Sequence, residues 1–529
     1  MPSQLSYPGI YIEEVPSPVR TVVGVPTAVA AFVGRTRMGP VDTPVRIKSF
    51  ADLERTFGTF WEYSELPQAV QQYFLNGGAD AYVVRVHNGA TAAQLTLPCQ
   101  NGTLKLVARH PGSWSRNLSA KVDYATRQVV VSGTLQTLGS EFNLVIECAL
   151  INPVTGTVDT VREEFRNVSI DANAPNFVST VLRDASRLVV VDATATLPPN
   201  RPNVTTAAIN AGNAADGSAA GDGNALTANQ LTPAGGAKSK SGIFALEDAE
   251  IFTMLVLPGY AAAESTTSAD LPAGVWTSAL QYCQRRRAIL LVNAPASWTS
   301  KSNVVTTQID VHRDKNSVSY FPRVLFPDPL QQGRTRPFSP SAALAGIMAR
   351  TDQNRGVWKA PAGEEARVVG ALGLEYTLSD EENGDLNPLA INCLRTFPLV
   401  GTVCWGARTL AGADAQASEW KYLSVRRTAL FIEETLYRAT RWILFEPNDE
   451  PLWAQIRLNI GAFMQSLFRQ GAFQGGTPKE AYFVKCDAQT TTQDDINKGI
   501  VNILVGFAPL KPVEFVVLKI SQLAGRSVE

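Results

Sequence analysis

The strand and helix signals of this chain come in two blocks, interrupted by a long segment of different texture, and that interruption constrains the fold more than any single motif. The apolar run Ala28–Val33, closed by Gly34, reads as a buried strand. Ser49-Phe50-Ala51-Asp52 has the form of a capping box before a short helix stopped at Gly58, and a second helix is expected from Glu65 to Leu75, stopped at Gly77. Tyr82–Val86 returns as a strand. After residue 242 the pattern resumes with a strand at Ile251–Leu257, an amphipathic helix at Trp276–Arg286 and a strand at Ala288–Val292, a plausible βαβ unit. The expectation is one α/β core, with a mixed sheet and flanking helices, that the chain leaves and re-enters.

The interruption, residues 91–241, reads as an inserted all-β domain. Short alternating runs at Leu104–Val107, Leu118–Tyr124, Gln128–Ser132 and Phe142–Leu150 are separated by Gly, Asn, Pro and Ser clusters. A brief helix at Phe177–Arg183 and a strand at Leu188–Val191 follow. Thr205–Ser241 has no aromatic residue and is rich in Ala, Gly, Asn, Ser and Thr, so a flexible linker is expected there. Its Asp216-Gly217 and Asp222-Gly223 pairs fit no EF-hand spacing and read as turns.

Both ends are extended by composition. Pro8, Pro16, Pro18 and Pro26 punctuate the β-prone residues of the arm 1–25, which cannot bury itself and is expected to add to a sheet edge of another chain. Near the other end, stripes at Val425, Ala429, Ile432, Leu436, Ala439 and Ile443, and at Trp453, Ile456, Ile460, Phe463 and Leu467, give two core-facing helices. Strands are expected at Tyr482–Cys486, Ile500–Phe507 and Phe515–Ile520. The segments are thus 1–25, 26–90, 91–241, 242–510 and a closing arm, 511–529.

Chemistry is hard to place. Lys and Arg total 47 against 48 Asp and Glu, so no excess positive charge is available to hold a nucleic-acid backbone. Only 18% of residues are charged and 45% are hydrophobic, a balance that leans toward surface buried in assembly. The six cysteines are dispersed and read as reduced and buried; no signal peptide is indicated, and no apolar run approaches the roughly 20 residues of a membrane helix. His87, His110 and His312 stand apart from any metal-ligand spacing, and no nucleotide-binding, zincin or serine-hydrolase motif is present. Arg285-Arg286-Arg287, the one dense basic run, suits the C-terminal end of its helix. Asp380, Glu381 and Glu382 follow Ser379 and read as a capped first turn. An α/β enzyme would have to use these acids or His312; a surface-binding or adhesion module would use the insert.

Gly356-Val357-Trp358-Lys359-Ala360-Pro361-Ala362-Gly363, Trp405-Gly406-Ala407-Arg408-Thr409-Leu410, Val425-Arg426-Arg427, Phe445-Glu446-Pro447-Asn448, Phe483-Val484-Lys485-Cys486-Asp487 and Ala508-Pro509 before Glu514-Phe515-Val516-Val517 occur in one order. With them the chain resembles the contractile tail sheath family over 1–90 and 243–523, and Tyr7-Pro8-Gly9-Ile10-Tyr11-Ile12-Glu13-Glu14-Val15 is similar to that family's N-terminal arm. The chain departs at Gly235-Gly236-Ala237-Lys238, where members carry a Gly-Gly-x-Asp-Gly-like stretch.

The resemblance implies a structural protein of a phage tail or of a phage-derived contractile injection particle, assembled in the bacterial cytoplasm, without cofactor or nucleic acid and without membrane insertion. Its subunits would stack as hexameric rings in a helical sleeve around an inner tube protein, bounded by baseplate and terminator or cap proteins. Two arms would link subunits: Tyr7, Ile10, Tyr11, Ile12, Glu13, Glu14 and Val15 at the N-terminus, and Phe515, Val516, Val517, Leu518 and Ile520 at the C-terminus. Ile500, Ile503, Val505 and Phe507 would receive a strand, and Asp494, Asp495 and Lys498 are the expected inner-tube contact.

Overall fold

The computed structural model describes residues 22–131, 134–212, 219–263 and 270–518. The described residues form two compact units: those of 28–351 with 361–421, and 22–27 with 352–360 and 422–518. These boundaries are not those of the five segments expected above. Segment 242–510 contributes to both units, and 91–241 belongs to the same unit as the sheet that it interrupts.

An eight-stranded sheet organises the larger unit, in the order Val45–Ile47, Ala81–Arg85, Ala30–Gly34, Met254–Val256, Ile289–Asn293, Ser317–Phe321, Asn392–Phe397, Gly401–Cys404. The six inner strands run parallel and the two outer ones antiparallel. Strand Ala30–Gly34 is buried on both faces, which is why it reads as a continuous apolar run rather than an alternating one. It pairs with Ala81–Arg85 on one side and Met254–Val256 on the other, so residues 87–250 leave the sheet on one side of this strand and re-enter it on the other. The helix Ala273–Arg286 buries Val275, Trp276, Ala279, Leu280 and Cys283 against this sheet's core. Ser49 caps helix Phe50–Phe57 by accepting from the Asp52 amide, and Gly58 ends it with φ +84, a value that an L side chain rarely adopts.

Within 91–241, strands Gln94–Pro98, Thr103–Ala108 and Val189–Val191 form one sheet, and Leu118–Asp123, Glu141–Ile151, Val158–Ser169 and Ile209–Asn210 another. Their inward residues share an apolar core of their own around Trp114, Phe142, Leu144 and Ile146, into which helix Val178–Ala185 sets Val178 and Leu182.

The linker expected at 205–241 is corrected over its described residues. Ile209 and Asn210 pair with Ala120 and Ser119, helix Ala228–Leu231 carries a capping box from Thr227, and Leu226 and Leu231 are buried. Asp222 accepts from the Ser113 amide at 2.8 Å, while its own carbonyl and that of Gly223 accept from Arg35 at 2.8 and 3.1 Å. Small residues there permit close backbone approach: a Cβ on Gly223 would lie 2.2 Å from the Asn88 carbonyl oxygen. Asp216 and Gly217 lie outside the described residues.

The smaller unit is built on helices Leu423–Ala439 and Glu450–Arg469. The second runs as its stripe predicts, with Asp449 as cap, Pro451 in the first turn, and Trp453, Ile456, Ile460, Phe463 and Leu467 in the core. The first ends earlier than its stripe, since Ile443 sits in a separate 3-10 turn, Arg441–Ile443.

Candidate assembly surfaces

At the N-terminal end, the described chain begins where the expected arm is anchored. Val22 packs against the smaller unit's core, the Val25 amide donates to Thr435 Oγ1 at 3.2 Å, and a Cβ on Gly24 would meet Phe431 at 2.9 Å. Arg427 fixes this root. Its guanidinium makes a two-pronged contact with Asp352 at 2.8 and 2.6 Å and donates to the Thr27 carbonyl at 3.2 Å, with Arg427 and Asp352 both 3% exposed. Burial pushes the Asp352 carboxyl above its usual range and Arg427 pulls it back. The arm residues themselves, Tyr7 to Val15, lie outside the described residues.

The C-terminal surface is a two-stranded antiparallel sheet, Tyr482–Lys485 against Leu504–Phe507, with Tyr482 opposite Phe507 and Lys485 opposite Leu504. Two strands are marginal in water without packing. Here Tyr482, Val484, Val505 and Phe507 turn toward the cluster made by helix Glu450–Arg469. The strand expected at Ile500–Phe507 is therefore shortened to its second half. Val505 and Phe507 lie on it, whereas Ile500 and Ile503 precede it, because Gly499 turns the chain with φ +71 and the Asn502 amide donates to the Thr491 hydroxyl instead of a ladder.

After the bridge from Pro509 to Phe473, residues 510–518 make no ladder. The strand expected from Phe515 to pair with another subunit makes no ladder in the single chain: Phe515, Val516, Val517 and Leu518 are between 72% and 82% exposed. Ile520 is outside the described residues. The physical reason is that a strand is defined by its neighbour, and this one has none among the described residues.

Asp494, Asp495 and Lys498 fall on and just after a short helix, Gln493–Asn497. Thr492 accepts from the Asp495 amide, and the Asp495 carboxylate accepts from the Thr492 amide at 2.9 Å. That backbone bond holds its carboxyl below the usual range. Lys498 pairs with Asp494 one turn away. All three are satisfied locally, and Asp494 and Lys498 remain exposed.

The residues an enzyme would need are not brought together. Asp380 to Glu382 form the first turn of helix Asp380–Leu386 under a Ser379 capping box. His312 is buried, burial pushing its imidazole below the usual histidine range, on the wall of a cavity of roughly 400 Å³. That wall includes the Glu65–Arg336 ion pair at 2.7 Å but none of residues 380–382. Among the described residues no group of His, Cys, Asp and Glu could hold a metal ion, and no helix is long and apolar enough to cross a membrane. Arg427, Asp352 and the turn at Phe445 were not singled out as site residues by sequence reasoning. The basic pair in Val425-Arg426-Arg427, lying on an otherwise apolar stripe, is the signal that could have found the first.

The comparisons name the class of this chain. Residues 233–410 match the phage tail sheath protein central domain and residues 415–522 the phage tail sheath C-terminal domain, together more than half of the chain. The chain belongs to the phage tail sheath family, whose members are structural subunits and not enzymes. It is 23% identical to the tail sheath protein of Burkholderia phage BcepMu, over 86% of this chain and 85% of that protein. It is 26% identical to the tail sheath protein of Vibrio phage KVP40 over 33% of this chain, a stretch spanning 25% of that longer relative. Among solved structures, the sheath complex of the extracellular contractile injection system PVC, in its contracted state, is similar with a TM-score of 0.56 at 22% identity, covering 98% of both chains. The sheath tail protein of Listeria innocua has a TM-score of 0.58 at 13% identity, over 93% of this chain and 96% of that one.

Proposed function

We propose that this protein polymerises as stacked hexameric rings in a helical sleeve around an inner tube, and that the sleeve shortens to drive the tube through a target cell envelope. The observation that carries the reading is that Val513, Phe515, Val516, Val517 and Leu518 are exposed in the single chain and make no ladder there. Such a run is unstable in water and stable as an added strand. The two-stranded sheet at Leu504–Phe507 is an edge that such a strand fits, and the arm Tyr7 to Val15 would supply another strand from a further subunit. Strands tether through backbone hydrogen bonds without fixing the angle between subunits, so the compact units can turn as the lattice changes. Head-to-tail contacts that do not close locally give a helix rather than a compact oligomer. The extended sleeve would be held by the inner tube and the baseplate, with terminator or cap proteins at the far end, and its free energy stored in poorer contacts between subunits. No nucleotide is needed. The particle would be a phage tail or a headless contractile device assembled in a bacterial cytoplasm, and residues 91–241 would form a domain on the outer surface.

Negative-stain electron microscopy of the purified chain, alone and with its neighbouring gene products, tests this. Hollow striated tubes are expected. Monomers under both conditions would overturn the reading and leave the binding module, with the insert as its recognition surface.

A further inference from the structure

Asparagine followed by glycine occurs at Asn76-Gly77, Asn88-Gly89, Asn101-Gly102 and Asn383-Gly384. Such a pair is reactive because glycine has no Cβ to keep its amide nitrogen away from the side-chain carbonyl carbon of the asparagine before it. Attack of that nitrogen on Cγ closes a five-membered ring. Whether it occurs in a folded chain depends on how firmly the two groups are held.

Three of the pairs are held. Asn76 is fully buried: its Nδ2 donates to the Gln72 carbonyl at 2.9 Å, its Oδ1 accepts from the Val369 amide at 2.8 Å, and the Gly77 amide donates to the Phe74 carbonyl at 3.2 Å. Asn88 is half-buried, with Nδ2 donating to the Ala225 carbonyl at 2.8 Å and Oδ1 accepting from Gln230 Nε2 at 3.4 Å. Asn383 and Gly384 lie inside helix Asp380–Leu386, where the ladder draws each backbone amide toward the preceding turn and away from its neighbour's side chain.

Asn101 and Gly102 are both exposed, at the tip of the hairpin between strands Gln94–Pro98 and Thr103–Ala108. The Cys99 amide donates to the Gly102 carbonyl at 3.0 Å, but the reverse bond, from the Gly102 amide to the Cys99 carbonyl, is not made, which leaves the turn open. Among the described residues neither the Gly102 amide nor the Asn101 carboxamide has a hydrogen-bond partner. The tip also has room: a Cβ on Gly102 would find its nearest neighbour, Pro198, 3.7 Å away.

We propose that Asn101 is a site of spontaneous modification, where the carboxamide converts to aspartate and isoaspartate. The Gly102 nitrogen bonds to Asn101 Cγ, the Cγ–Nδ2 bond breaks, and ammonia leaves with the proton that the backbone nitrogen gives up. Water then opens the ring. Opening at Cγ gives aspartate, whereas opening at the backbone carbonyl gives isoaspartate, whose main chain is longer by one methylene. Either product adds one negative charge to a chain of formal net charge −1. The hairpin tip thus records the age of each subunit, whether or not that subunit polymerises.

The test incubates the full-length chain in mildly alkaline buffer, folded and in guanidinium chloride, and follows the four sites by peptide mass spectrometry. An aspartate-specific protease separates aspartate from isoaspartate. In the folded chain Asn101 should convert about tenfold or more faster than Asn76, Asn88 and Asn383, because those three need local opening first. In guanidinium chloride the four rates should draw together. Asn101→Gln enlarges the ring that would have to close, so it should remove the new acidic species in isoelectric focusing while leaving the melting midpoint unchanged. Acidic species that persist in the variant place the reaction elsewhere and overturn the site. An Asn101 that converts in guanidinium chloride but not in the folded chain also overturns it, because the hairpin then keeps the two groups apart. Equal conversion of all four sites in the folded chain overturns it as well, because the fold then selects none of them.

Discussion

Strand Val158–Ser169 and the run Val513–Leu518 both face solvent, and they are defended in opposite ways. The first is the outer strand of a four-stranded sheet and carries Asp159, Arg162, Glu163, Glu164 and Arg166 within its twelve residues. Charges of this density are how sheet edges avoid pairing with other chains. Glu163 is also turned inward on its own unit, accepting from the Ser186 hydroxyl and the Arg187 amide. The second carries one charge, Glu514, among its six residues and offers Phe515, Val516, Val517 and Leu518 to water. An edge with guards is one that does not recruit a further strand. An unguarded apolar run gains when another chain covers it, and under the proposed function the contrast makes the C-terminal end, rather than the insert, the place to test for assembly.

The comparison breaks most readily by removing the unguarded strand. Deleting residues 515–529 should abolish polymers in electron micrographs, whereas deleting 521–529 should leave them; equal assembly would take this strand out of the mechanism. Ranked next is Arg427→Met, which leaves Asp352 buried without its cation and should destabilise the smaller unit by roughly 3–5 kcal/mol in denaturant unfolding. Retained stability would mean that the root of the N-terminal arm is fixed by something else. Ile12→Pro removes one backbone donor from the arm and should shorten sheaths rather than eliminate them. Full-length sheaths in micrographs would show that this residue is not in a donated strand.

A smaller effect is expected on the guarded side. Glu141, almost wholly buried at the start of the strand that pairs with Val158–Ser169, accepts from Arg127 and Asn176, and these bonds hold its carboxyl below the ordinary glutamate range. A carboxyl depressed in the folded state contributes stability above its unfolded pKa and loses it as pH falls toward the folded value. Acidification through that window should loosen this sheet, followed by the fluorescence of Trp114, and Glu141→Gln should flatten the dependence. An unchanged profile in the variant would remove Glu141 as the cause. The smallest change is Leu399→Gly, at φ +69 in the hairpin between Phe397 and Gly401, which should stabilise the larger unit by about 1 kcal/mol. A lower melting temperature would show that the exposed side chain contributes to the fold.

Much of this was readable beforehand, for physical reasons that differ by region. Local chemistry is written in local sequence: Ser49 and Ser379 cap helices, and the stripe from Trp453 to Leu467 is buried as its spacing requires. Strands of the central sheet such as Ala30–Gly34 were recognisable because burial on both faces leaves no room for polar residues. The sheet's further half was not, because Ser317–Phe321 and Asn392–Phe397 carry Ser and Asn whose partners lie far away in the chain. Asn392 Nδ2 donates to the carbonyls of Ser319 and Arg408. At 205–241 composition misleads. Small polar residues look like a linker, yet they let Arg35, Arg116 and Asn88 reach backbone carbonyls that a bulkier chain would block.

The sequence by itself determined the α/β core with its interruption, the two late helices, the absence of a recognisable catalytic motif and, through its ordered motifs, the sheath resemblance. All of these depend on side-chain patterns within a few turns of chain or on residue order. Only the tertiary structure decided that the insert shares a compact unit with the sheet, that Arg427 and Asp352 meet across 75 residues, and that Phe445 stands exposed on a turn suited to glycine. Those depend on which distant backbone groups become neighbours, and spacing along the chain carries no record of that.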